Sequence, residues 1–151
     1  MEQQNDDLEI SKAVFKGVIS NVPIVGSVIA ELIGYLDSKY IARRLERLER
    51  TIRSHDILLS DFTERLYDLE NDEHKYYIVR NNLKHLCLSA LPETVDAFNK
   101  ALIEIVMSEQ PTMAEYACEM IKQLNADDIS LLKSIKEYQI FKMSKDGEGN
   151  D

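Results

Sequence analysis

Glycine is scarce in this sequence of 151 residues: Gly17, Gly26, Gly34, Gly147 and Gly149 are the five, so the whole stretch from Tyr35 to Asp146 holds none. A phosphate-cradling glycine loop and most tight hairpin turns are excluded from that stretch, because both need positive φ or very close backbone approach. Proline is scarcer still (Pro23, Pro92, Pro111) and tryptophan is absent. The two cysteines, Cys87 and Cys118, stand in no CxxC or Cys/His spacing. Buried free thiols in a reducing compartment are expected of them, and no structural zinc, other metal or cofactor. The first nine residues are acidic and lack the basic region of a secretory signal, so the expected location is the cytoplasm, with any membrane contact peripheral to its inner face. Long apolar runs are missing too. The uncharged stretch from Gly17 to Ala30 falls short of the roughly 18 to 20 residues of a membrane span, and extending it to Leu36 brings in Glu31 and leaves Pro23 inside.

Positive charge is also in deficit, with 18 basic against 27 acidic side chains and a net charge of -9. Such a surface repels polyanions on average, so nucleic acid is not an expected partner by default. One segment departs from this balance. Between Ile41 and His55 five arginines (Arg43, Arg44, Arg47, Arg50, Arg53) meet two glutamates, Glu46 and Glu49.

What is abundant is Leu, Glu, Lys, Arg and Ala between the prolines, the better helix formers, and an all-α fold is predicted. The spacing predicts a first helix over Leu8–Ser20, with Ile10, Val14, Phe15 and Val18 on one side. Asn21 is its candidate successor's N-cap, and Pro23 sits in that helix's first turn. From there Ile24, Val25, Val28, Ile29, Leu32, Ile33 and Leu36 form an apolar stripe. The other side carries Gly26, Ala30 and Gly34, a small-xxx-small arrangement that allows close helix approach. An N-terminal apolar helical hairpin over 8–36 follows.

The most regular pattern comes next. Ile41, Leu45, Leu48, Ile52, His55, Leu59, Phe62, Leu66 and Leu69 alternate spacings of four and three, a heptad seam that predicts one long coiled-coil-type helix over 37–72. Arg44 with Glu49, and Arg65 with Glu70, have the offset that pairs helices in a parallel coiled coil. Self-association is expected through Gly26, Ala30, Gly34 and through Leu45, Leu48, Ile52, His55, Leu59, Phe62 and Leu66. Asn71 and Asp72 mark a break. Apolar periodicity then predicts helices from Glu73 to Leu91, Pro92 to Ser108, Pro111 to Leu124 and onward from Ile129, a C-terminal helical bundle over 73–143, with Asp127 and Asp128 as N-terminal capping charges. Residues 144–151 read as a disordered polar tail. No repeat or linker divides the chain, so residues 1–151 are expected to form a single helical domain of elongated shape. This layout is similar to that of small bacterial proteins.

Two functional readings compete. The order of an apolar glycine-bearing hairpin followed by arginines is that of a segment meeting anionic headgroups, in which Ile24, Val28, Leu32 and Leu36 insert while Arg43, Arg47 and Arg50 face the lipid. The expected protein is then a non-enzymatic, self-associating interaction protein, a homo-oligomer with a protein partner, that perturbs or associates with anionic membranes. The alternative is enzymatic. Arg80, Asn81, Asn82, Leu83, Lys84 and His85 resemble the R-x4-6-H signature of the HEPN ribonucleases, small all-α proteins that dimerise with two motifs facing each other. The resemblance implies a metal-independent ribonuclease in which His85 serves as general acid or base and Arg80 holds the scissile phosphate. Asn81 matches the polar residue that follows the arginine. Arg50 and His55 repeat the spacing without it.

Overall fold

The computed structural model describes residues 17–147 except 90 and 111, and among them all regular structure is helical, with no strand. The seven α-helices are α1 Pro23–Leu32, α2 Ser38–Ser54, α3 Leu59–Asp68, α4 Glu73–Leu88, α5 Pro92–Met107, α6 Thr112–Gln123 and α7 Ala126–Gly147. Two 3-10 turns, Ile19–Asn21 and Leu69–Asn71, lead into α1 and out of α3. The first arm of the expected hairpin, Leu8–Ser20, lies mostly outside the described residues, as do the last four of the expected tail. Residues 144–147 of that tail continue α7 as helix instead.

Local chemistry accounts for most boundaries. Asp37 and Asp72 act as N-caps, accepting from the backbone N–H of Lys39 (2.7 Å) and Lys75 (3.0 Å). Pro23 and Pro92 occupy first turns, where a missing N–H costs nothing. Asn21 is not the cap of α1; that position is Val22, with no side-chain bond, and the Asn21 amide instead donates to the Gly17 carbonyl at 3.4 Å. Before α7, Asn125 Oδ1 accepts from the N–H groups of Asp127 and Asp128 while Asp128 Oδ2 accepts from that of Asn125, all within 3.0 Å. This reciprocal box satisfies donors that the helix cannot.

The expected continuous helix over 37–72 is two helices. α2 ends at Ser54, and Asp56 takes a φ of 58°. The Asp56 N–H donates to the Arg53 carbonyl (3.1 Å) and the Ile57 N–H to the Ile52 carbonyl (3.3 Å), the two bonds that close a helix around a left-handed residue. The apolar phase survives the turn, so both helices present their seam to one core.

α5 lies at the centre of that core, packed against α6 and α4 and touched by α2 and α3, while α1 lies on α4. Val95, Phe98, Leu102, Ile105 and Val106 of α5 are buried among Val79, Leu83 and Leu86 of α4 and Cys118 of α6.

Candidate functional site

α4 carries the Arg80–His85 motif without a break, so its two ends, five residues apart, point about 140° away from each other. Arg80 turns toward α1, where its guanidinium donates to Glu31 Oε2 at 2.6 Å, and Lys84 binds the other oxygen of the same carboxylate. The hydrogen bonds from Lys84 and Arg80 hold the Glu31 carboxyl below the ordinary glutamate value. His85 turns the other way. Its ring stacks on Phe98 of α5, with centroids 6.3 Å apart and planes 13° from parallel. It borders a cavity of about 280 Å³ lined also by Leu88, Thr94, Ile121 and Lys122. Burial, reinforced by the nearby Lys122 charge, keeps the imidazole below its usual value and therefore neutral at pH 7. The arginine is thus neutralised on one side of the helix and the histidine is uncharged on the other. The fold does not assemble them into a phosphate clamp with a proton donor.

The heptad seam is placed inside the chain. Leu45, Leu48, Ile52, Phe62 and Leu66 are buried, Leu59 is half-buried, and His55, expected within the seam, is exposed at the end of α2 with Nδ1 2.8 Å from the Thr51 carbonyl. These side chains pack on the chain's own elements and offer no seam to a second copy in this fold. Three of the four charged residues expected to flank an intermolecular pairing, Arg44, Glu49 and Arg65, are engaged within the chain, and Glu70 is exposed. Arg44 donates to the Ser89 carbonyl (2.7 Å) and the Tyr40 hydroxyl (2.6 Å), and Arg65 donates to the Met107 carbonyl (3.1 Å). Glu49, itself buried, accepts the Ile19 N–H at 3.0 Å.

The expected membrane-facing residues divide by burial. Ile24, Val28 and Leu32 are each 2% exposed or less and Leu36 is half-buried, so their stripe is core packed toward α4. No described helix is long and apolar enough to cross a membrane. Arg47 is paired with Asp96 at 2.9 Å; Arg43 and Arg50 are exposed. Ala30 and Gly34 face outward, Gly26 is half-buried, and a Cβ built on either glycine would meet nothing within 4 Å. The small face is therefore open.

Both thiols are buried and unpaired, and burial pushes Cys87 up to about 12 and Cys118 to about 11, which leaves them protonated and unreactive at neutral pH. Among the described residues no three His, Cys, Asp or Glu side chains converge as a metal site.

The surface that sequence reasoning missed lies at the C-terminal end. α6 exposes Met113, Tyr116 and Met120, and α7 exposes Leu131, Leu132, Ile135, Tyr138 and Ile140. Helical periodicity predicts a bundle helix onward from Ile129, but nothing in the pattern says whether its apolar face finds a partner within the chain. No family model matches this chain, and no curated protein or solved structure is similar to it.

Proposed function

We propose that this chain is a non-enzymatic, self-associating helical interaction protein, and that its contacts are made by outer surfaces rather than by the heptad seam. One observation carries the reading. A core completed by α1 to α6 is accompanied by a long helix whose Leu131, Leu132, Ile135, Tyr138 and Ile140 are exposed, and large exposed apolar patches mark contact surfaces. The open Gly26/Ala30/Gly34 face is a further place where a helix could approach closely. The ribonuclease alternative draws no support from the placement of Arg80 and His85. Membrane insertion through Ile24, Val28 and Leu32 would require α1 to leave the core first.

Sedimentation velocity on the full chain over a wide concentration range tests the proposal. A mass rising above that of the 17.4 kDa chain is expected. A monomer at every concentration, with no partner effect on the exposed residues, overturns it. RNA cleavage assayed in parallel should be undetectable; cleavage abolished by Arg80→Ala and His85→Ala would reinstate the enzyme.

A further inference from the structure

α7 has 22 residues, which makes it about 33 Å long, and its first two turns rest on the body. There Ile129, Ser130 and Lys133 lie against Leu91 and Glu93, with Lys133 Nζ 2.9 Å from Glu93 Oε1. Every residue from Leu131 to Ile140 is exposed, Leu131 by 61% and Tyr138 by 67%. An isolated helix of this length is marginal in water, and leaving such residues solvated removes the packing that would hold it. Some surface must cover it.

The pattern along α7 identifies that surface. Asp128, Leu131, Ile135, Tyr138 and Lys142 follow one another at spacings of three and four, a short heptad seam whose middle is apolar and whose ends are charged. The charges are polar along the axis. Asp127 and Asp128 open the helix, whereas Lys142 stands near its end. A complementary partner needs an apolar stripe of the same spacing, with a basic end facing the acidic one and the reverse. α7 turned end over end meets both conditions.

We infer that α7 packs antiparallel against the α7 of a second copy, forming an isologous dimer across a two-fold axis. The inference rests on the self-association proposed above and assigns it to one element. Leu131, Ile135 and Tyr138 of the two copies interleave, the acidic start of each helix meets Lys142 of the other, and the helix dipoles oppose favourably. A parallel pairing would stack like charge on like charge at both ends. Lys133, committed to Glu93 on the outer side, stays clear of the seam.

Sedimentation equilibrium on the full chain, its helicity followed by circular dichroism, provides the test. The wild type is expected at twice 17.4 kDa, and Ile135→Glu with Tyr138→Glu at the monomer mass with the body still helical. An oligomer that survives this double change but is lost with Ala30→Leu overturns the α7 dimer and leaves self-association standing. A wild type that is monomeric throughout overturns both. For orientation, Lys142→Gln, which leaves the Asn125–Asp128 box intact, should weaken the dimer about threefold. A dimer that this change leaves unchanged or strengthens excludes the antiparallel arrangement. A monomer that binds anionic vesicles through α7 would assign the face to lipid and also overturn the proposal.

Discussion

Asp56 holds the left-handed conformation at the end of α2 with a side chain that tolerates it only better than most. Asp56→Gly removes the Cβ crowding at roughly 1 kcal/mol, so its melting temperature should rise by a few degrees; no rise would mean that the carboxylate contributes a compensating bond. Glu49 is the opposite case, a buried acceptor with one task. Its carboxylate satisfies the Ile19 N–H and lies so close to Gly17 that a Cβ there would collide with it. Glu49→Ala leaves that N–H buried and unpaired, at a cost of about 1–3 kcal/mol in a denaturant titration, while Glu49→Gln, which can still accept, should cost clearly less. Glu31 sets a pH dependence. Because its folded pKa is depressed below 4.5, its stabilisation is present above that value and lost as pH falls through the folded one. Wild-type melting temperature should therefore drop more steeply on acidification than that of Glu31→Gln.

At the scale of elements, three cations close helix ends that lack a glycine. Arg44 binds the Ser89 carbonyl after α4, and Arg65 and Lys75 bind those of Met107 and Ser108 after α5. Terminal carbonyls have no intrahelical donor, and a cation from a neighbouring helix both satisfies them and opposes the helix dipole. In a chain without glycine from Tyr35 to Asp146, the usual left-handed glycine cap is not available, and long side chains replace it. Arg44→Met should lower the denaturant midpoint by about 1 kcal/mol equivalent, whereas Arg43→Met, exposed on the same helix, should stay within about 0.5 kcal/mol. Equal effects would show that helix propensity, not the Ser89 contact, explains the loss.

For the whole molecule, burial decides between core and membrane. With Ile24 2% exposed, Ile24→Asp places an unpaired carboxylate in the interior and should destabilise the fold by about 4 kcal/mol. The folded wild type should release no dye from anionic vesicles, since the stripe is occupied by the chain's own helices. Leakage from a protein whose near-ultraviolet signal is unchanged would contradict this packing. Self-association then belongs to the surfaces left over, and the α7 variants bear on it directly.

The sequence alone determined the helical class, the phase of nearly every apolar stripe and the capping charges before α7, because periodicity and capping are local and act within a few residues. Leu45, Leu48, Ile52, Phe62 and Leu66 were legible as one apolar seam for that reason. What they pack against was not. A heptad stripe looks the same whether it meets a second chain or its own α4 and α5, and the turn at Asp56 leaves the stripe in phase without any glycine or proline to announce it. The Arg80–His85 spacing was equally ambiguous, since only the packing of α1 on one side and α5 on the other sends the two side chains apart. The exposure of α7 is the reverse lesson. Its stripe is as regular as those of the core helices, and only the tertiary structure, by completing the core with six helices, leaves Leu131, Ile135 and Tyr138 of the seventh exposed.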